Sequence, residues 1–280
     1  MLKTGLNEIS APVRIIIYLL LVVTAVSMLL PFVWMISSSL KLNKDVFTFP
    51  MQWIPKEPRW KNYSDIWTRV PLLRFIYNTF FLSITVTLLQ VLSSSFAAYA
   101  FAKLHFPLRR VLFIGYIGTI AVPWQAYMVP QFIMMSRFGL NNTHLALICL
   151  QAFSAFGVFL MKQFYESVPD ELREAAKIDG CSEYGIWWRI MIPLSKPAIS
   201  TLIIITFVNT WNDFLGPLIY LTRTELKTIQ IGLRAFISQY SSEYGLIMAA
   251  SVVCLIPVLI VFLTLQQYFV QGIANTGIKG

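Results

Sequence analysis

Five of the 13 acidic residues in this 280-residue chain fall within one short stretch: Asp170, Glu171, Glu174, Asp179 and Glu183. Clustered carboxylates can do general acid and base chemistry, but only around a reacting centre. Here Asp170 and Glu171 follow Pro169, and Gly180 closes the run. That is the pattern of a short helix with acids at its positive end and a left-handed cap at its C-terminus. Another acid, Asp213, lies alone in an apolar stretch, where an ionisable group is costly and by default functional. Around it stand Asn209, Trp211, Asn212 and Phe214. Amides beside aromatic rings suit a carbohydrate, whose apolar face stacks on rings while its hydroxyls take hydrogen bonds. Trp124, Gln125 and Tyr127, with Gln151, form a second polar and aromatic set. Two blander explanations stay open. Asp213 stands about 15 Å from the outer end of its stretch at roughly 1.5 Å per residue, within reach of interfacial water or a basic partner, and Trp211 is equally suited to a membrane-interface belt.

Other chemistries find no support. His105 and His144 have no partner at metal-ligand spacing, so no metal site is expected. Cys149, Cys181 and Cys254 form neither a CxxC pair nor a disulfide framework and read as packing residues. No Ser/His/Asp or paired-carboxylate constellation lies inside an apolar stretch. A phosphate-binding loop needs Gly-x-x-x-x-Gly-Lys followed by Ser or Thr. The nearest approach, from Gly272 to Lys279, has Ile278 between Gly277 and the lysine and no strand before it. The chain is not expected to be an enzyme, and an energy source would have to come from a partner.

The elements that position these residues are membrane helices. Hydrophobic residues make up 57% of the chain and charged residues 12%, against about 25% charged in a typical soluble domain. A chain so poor in charge cannot clothe a globule in water, so its solvent is partly lipid. A net charge of +9 would point to nucleic acid on a soluble protein; here it poses the question of which side of a bilayer each charge occupies. Stretches free of Asp, Glu, Lys and Arg predict spans at about 15–38, 75–102, 111–136 and 140–161. A fifth at 197–222 is broken only by Asp213, and the sixth lies at about 246–270. The sixth fits the roughly 17 to 25 residues needed to cross the hydrocarbon core, and the others are of at least similar length. The expected fold is an all-α integral membrane protein with six transmembrane helices and both termini on one side. The first span is too long for the h-region of a cleaved signal peptide. In the second, Ser93 and Ala97, and Ser94, Ala98 and Ala102, stand at four-residue spacing, which lets another helix approach closely. Pro31, Pro123, Pro130, Pro217 and Pro257 lie inside spans, where each can kink the helix.

Charge counting leaves the orientation open. Lys3, Arg14, Lys103, Arg109, Arg110, Lys162, Arg173, Lys177, Arg189, Lys196 and Lys279 fall on the side of the N-terminus, and the other 11 of the 22 basic residues fall opposite. Seven of that second set lie in the loop at 41–74; discounting them as part of a small folded segment favours the N-terminus inside.

The segment at 163–196 is the most informative. On its first helix, of about ten residues, Leu172, Ala175 and Ala176 make one narrow face of mostly small side chains, which implies close approach to a partner. A helix that short is not stable alone. A bilayer-surface element would carry large apolar groups there instead. A second helix runs from an N-cap at Ser182 to about Ile192, where Pro193 ends it.

Glu174-Ala175-Ala176 followed by Asp179-Gly180, with Ile190, Pro193 and Pro197 downstream, resembles the EAA loop of the permease subunits of bacterial ABC importers. Cys181 stands where that family usually has Ala, and Ile192 where it usually has Leu. Trp211-Asn212-Asp213-Phe214 with Gly216-Pro217-Leu218, and the tail from Gly272 to Gly280, resemble the maltose-type carbohydrate permeases. The resemblance covers nearly the whole chain and is nearest to the second, shorter permease subunit. It implies a type I ABC importer permease fold in the bacterial inner membrane with both termini cytoplasmic. It also implies a second homologous permease, two ATPase subunits that bind Mg-ATP, and an extracytoplasmic sugar-binding protein as partners, with no cofactor in this chain and no nucleic acid. In that family the EAA loop is a cytoplasmic coupling helix lodged in a cleft of the ATPase. Glu174 would make polar contact there, Ala175 and Ala176 would permit close packing, and Gly180 would turn the chain, with Asp179 also in the coupling set. An ion-gradient-driven secondary transporter is the alternative, although such proteins often have repeats and several intramembrane ionisable groups, and only Asp213 is found here.

Overall fold

The computed structural model describes residues 10–237 and 243–276, with side chains to residue 268. Lys3, Glu8 and Lys279, both termini, the end of the tail motif from residue 277, and residues 238–242 of the loop at 223–243 lie outside the described residues. The chain divides into two units, residues 1–70 with 235–253 and residues 71–234 with 254–280.

In the first unit, α1 (Ala11–Ser39) opens with Pro12 in its first turn and exposes nearly its whole length, so that only Ser37, Ser38 and Ser39 are buried. A loop then folds back on the end of this helix. The Lys41 ammonium is buried, lies 4.0 Å from the Trp34 ring centre and donates to the Gln52 carbonyl. Asn62, which begins α2 (Asn62–Arg69), donates to the carbonyls of Ser39 at 2.8 Å and Lys41 at 2.9 Å. The stretch at 41–70 is therefore a folded segment fixed by buried polar bonds.

The second unit is built on α3 (Leu72–Lys103), a helix of 32 residues. Around it come α4 (Arg109–Gly118), α5 (Trp124–Arg137), α6 (His144–Gln151) and α7 (Ala155–Ser167). Next are α8 (Glu171–Ile178), α9 (Glu183–Leu194), α10 (Lys196–Trp211), α11 (Leu215–Tyr220) and α12 (Ile229–Arg234). The last helix, α13 (Tyr244–Thr276), belongs to this unit from Cys254 onward. The small residues of α3 act as expected. Ser94 and Ala98 are fully buried against α7, and a Cβ placed on Gly157 would lie 2.4 Å from the Ser94 hydroxyl. Such close approach holds helices together where lipid gives no hydrophobic drive between them.

Among the described residues three helices are long and apolar enough to cross a bilayer alone, Ala11–Ser39, Leu72–Lys103 and Tyr244–Tyr268, and the number is six if each of three bent pairs is one span. Each of these bent spans is interrupted, one of them at an expected proline and the others elsewhere. The predicted span at 111–136 turns by 101° between Ala121 and Trp124. Pro123 removes an amide there and drives Val122 into extended geometry (φ −88°, ψ 113°). The span at 140–161 starts only at His144 and bends by 40° at residues 152–154, where Ser154 caps the second half by accepting from the Gly157 amide at 3.0 Å. The span at 197–222 stops at Trp211 and resumes at Leu215. Nor does Pro193 end α9. A π-helical turn over Trp187–Met191 widens the helix just before it, leaving room for the proline ring, and the 80° bend falls at Ser195 instead.

Gly157→Leu should overpack the α3–α7 contact, costing about 1–3 kcal/mol. Thermal unfolding of the detergent-solubilised protein should therefore begin several degrees lower than in wild type, and an unchanged midpoint would contradict the close approach.

Candidate functional site

Two places gather the sequence candidates, and α3 runs between them. At its C-terminal end lies the acidic loop. Helix α8 is eight residues long, with Asp170 at its N-cap and Pro169 just ahead of the cap rather than within the first turn. Gly180 has φ +79°, Cys181 N–H donates to the Ala176 carbonyl and Gly180 N–H to that of Lys177, a complete left-handed cap. A β-carbon at Gly180 would meet no neighbour, so the requirement there is backbone conformation and not space.

Side chains clamp α8 from one side. Lys103, the last residue of α3, has a buried side chain whose ammonium reaches the Val168 carbonyl and the Asp170 carboxylate, each at 2.6 Å. That hydrogen bond and charge hold the Asp170 carboxyl below the usual carboxylate range. Farther along, one carboxylate gathers three elements. Glu183, in the first turn of α9, takes both nitrogens of an Arg173 fork (Nη2 at 2.5 Å, Nε at 3.2 Å), the Lys177 ammonium at 2.6 Å, and the hydroxyl of Tyr99 on α3. Burial alone would raise the Glu183 pKa, but these donors from Arg173, Lys177 and Tyr99 hold it down at about 2. The sequence reading placed Glu183 only within the acidic run. The available signal was Arg173 and Lys177, one turn apart on α8 with an acid just beyond the cap.

The expected packed face of α8 is split. Ala176 alone is buried, in a core with Tyr165, Ile186 and Met191. Leu172, Glu174, Ala175, Ile178 and Asp179 are exposed, Ile178 at 87%. Helix α9 is seated firmly on α3, with Trp187 Nε1–H donating to Ser95 at 2.9 Å and Tyr184 stacked on Phe96.

About two-fifths of the way back along α3 from this end lies Gln90, in the wall of a cavity of about 580 Å³. Gln151, Asn209 and Asp213 line it, joined by Thr206 and Thr210. A chain of bonds orders this wall. Thr206 donates to the Gln90 side-chain oxygen (2.9 Å), Gln90 to the Gln151 carbonyl (2.7 Å), and Gln151 to Asp213 (2.8 Å). The second Asp213 oxygen accepts from the Gly216 amide at 3.1 Å and so caps the start of α11. Asn209 faces the cavity exposed and makes no hydrogen bond among the described residues. On the other side of the Asp213–Gln151 pair, a smaller cavity of about 160 Å³ holds Trp124, Tyr127 and Gln131.

The aromatic platform is not the expected one. Trp211 is 1% exposed, stacked on Phe207, with its indole N–H bonded to the Cys254 carbonyl. It is core, neither cavity wall nor interface belt. Asn212 accepts from Gln230, and Phe214 lies under the Arg234 guanidinium, so both face α12. Phe153 and Phe156 supply the rings instead, at and after the break in the fourth span. Gln125 is exposed and lines neither cavity. Gln90, Thr206 and Gln131 were missed; their signal was an amide or hydroxyl inside an apolar span.

Residues 90–275 match the family described as binding-protein-dependent transport system inner membrane component. The arabinooligosaccharides transport system permease protein AraQ of Halalkalibacterium halodurans is 36% identical over 220 residues, covering 78% of this chain and 79% of that protein. The sulfoquinovosyl glycerol transport system permease protein SmoH of Agrobacterium fabrum is 32% identical over 271 residues, covering 96% and 94%. The crystal structure of a bacterial ABC transporter involved in the import of the acidic polysaccharide alginate contains a chain that superposes with a TM-score of 0.82 at 25% identity, covering 93% of this chain and 99% of that one.

The Glu183 clamp yields a pH dependence. Its folded pKa of about 2 lies below the ordinary 4.5, so its stabilisation is complete above pH 4.5 and is lost as pH falls toward 2. Hydrogen-exchange protection of residues 171–181, corrected for intrinsic rates, should be flat from pH 7 to pH 5 and fall below that. Glu183→Gln should lower it about tenfold at pH 7, the order expected when charge-assisted bonds of about 1.5 kcal/mol are lost. Equal protection in the variant would refute the clamp.

Proposed function

This chain belongs to the binding-protein-dependent transport system inner membrane components, and from that membership we propose that it is the transmembrane subunit of an ATP-driven oligosaccharide importer. It forms half of a translocation path with a second, similar permease in the bacterial inner membrane. An extracytoplasmic binding protein delivers the sugar, and two ATPase subunits, which bind Mg-ATP, drive alternating access. The observation that carries this reading is α8. It is too short to stand alone and is clamped from one side by Lys103 and Glu183. On the other side it presents Leu172, Ala175 and Ile178, edged by Glu174 and Asp179, all exposed among the described residues. A rigidly held helix end with a small, partly apolar outer face suits insertion into a cleft of a soluble subunit, with Glu174 supplying the polar contact.

The cavity supports the choice of cargo. Rings from Phe153 and Phe156 beside amides and hydroxyls match the amphipathic character of a sugar. Discontinuous helices meet at this cavity, as they do at transporter sites near the bilayer midplane. The ion-gradient alternative gains nothing, since Asp213 is held by two neutral donors, Gln151 and Gly216.

Ala175 is exposed, so Ala175→Trp should leave the membrane fold intact. Transport in proteoliposomes of the assembled complex should drop at least tenfold, and the ATPase should no longer copurify at wild-type ratio. Full transport by that variant, or sugar uptake by the isolated chain without ATP, would overturn the reading.

A further inference from the structure

The two cavities flanking Asp213 have a common electrical character. Among the described residues lining either one there is a single carboxylate and no lysine, arginine or histidine. The remaining polar wall is amide, hydroxyl and the Trp124 indole, with Thr206 donating to Gln90, Gln90 to the Gln151 backbone carbonyl, and the Gln151 side-chain amide to Asp213. Both Asp213 oxygens keep acceptor capacity beyond the bonds from Gln151 and Gly216, because a carboxylate oxygen has two lone pairs. Asn209 adds an unengaged amide, two donors and an acceptor, exposed in the same wall.

Resting on the oligosaccharide reading above, we infer that this cavity selects uncharged sugars and rejects those bearing a carboxylate, phosphate or sulfonate. Sugar hydroxyls are donors that Asp213 accepts, and their oxygens accept from Asn209. An anionic group in this site meets a like charge at short range in a partly desolvated wall, where repulsion is far less screened than in water. It finds no cation to replace the water it leaves behind. The division is informative within this family, because the similar proteins are named for cargo of both kinds, arabinooligosaccharides on one hand and acidic alginate on the other. Asp213 is thus a specificity residue, and its cap on α11 fixes its position.

The test is equilibrium binding to the purified complex of this chain with its permease and ATPase partners, by titration calorimetry without binding protein. A panel of neutral oligosaccharides is used, each paired with the same sugar oxidised to a terminal uronic acid. The neutral member should bind at least about tenfold tighter than its uronate. Asp213→Asn keeps an acceptor for the Gly216 amide and removes the charge, so it should narrow that ratio. Asn209→Lys, at an exposed position with no internal bond, should raise uronate binding and gives a second variant should the first fail to fold. Equal binding of both members, or a ratio unmoved in both variants, would overturn this inference and leave the oligosaccharide reading standing. Binding of neither member by a complex that hydrolyses ATP would remove both.

Discussion

Within a bilayer a broken helix has no water to receive its freed amides and carbonyls, so every break must be sealed by the protein itself. That constraint organises the second unit. At the break in the fourth span, Gln90 donates to the Gln151 carbonyl, Ser93 to that of Ala152 at 2.8 Å, and Ser154 accepts the Gly157 amide. At the break in the fifth, Asp213 accepts the Gly216 amide. The side chains that seal the two breaks are bonded to one another through Gln151 and Asp213. A polar surface thus exists inside an apolar unit because irregular backbone requires it, and the cavity lies along that surface.

A single helix carries both this surface and the clamp on the acidic loop. On α3, Gln90 and Ser93 reach the break and Ser94 touches Gly157. Ser95 bonds Tyr165 at 2.7 Å and receives the Trp187 indole, while Tyr99 and Lys103 hold the acidic loop. From Gln90 to Lys103 is about 20 Å at roughly 1.5 Å per residue. The α8 clamp and the cavity wall thus share one regular helix, with charge-assisted bonds at the loop end and amide bonds at the other. The π turn in α9 belongs to the same system, since it brings Trp187 onto Ser95 while α9 keeps Glu183 over Arg173 and Lys177.

What was legible in the sequence follows from how local each feature is. The left-handed cap at Gly180, the N-cap at Ser182 and the small-residue seam at Ser94 and Ala98 are set within a few residues of chain. The bends were half legible. Pro123 announced one, but nothing local to Ala152 or Asn212 told of the others, whose partners come from helices 60 residues away or nearer only in space. Tertiary packing also decided which aromatic is which. Trp211 looked like a platform because it neighbours Asp213 in sequence, yet the helix ends there and its ring continues onto Phe207. Phe153 looked like one more apolar residue of a span until the break turned it into the cavity. The split face of α8 has the same origin, because spacing groups Ala175 with Ala176 but only contact with Ile186 and Met191 decides which is buried.

Asp213 resolves a choice that its sequence position left open. A lone acid in an apolar span could be a structural feature of an interface or a group aimed at cargo, and the two readings treat its charge as serving different ends. Here one oxygen caps α11 and the other receives Gln151, so the carboxylate is held without any cation among the described residues. A neutral Asn could satisfy most of that geometry, because capping and an amide partner need only an acceptor. The structural role therefore accounts for a polar residue at this position and not for a negative one. What the charge adds lies on the cavity side, where lone pairs remain and no basic residue lines the wall among the described residues of this chain.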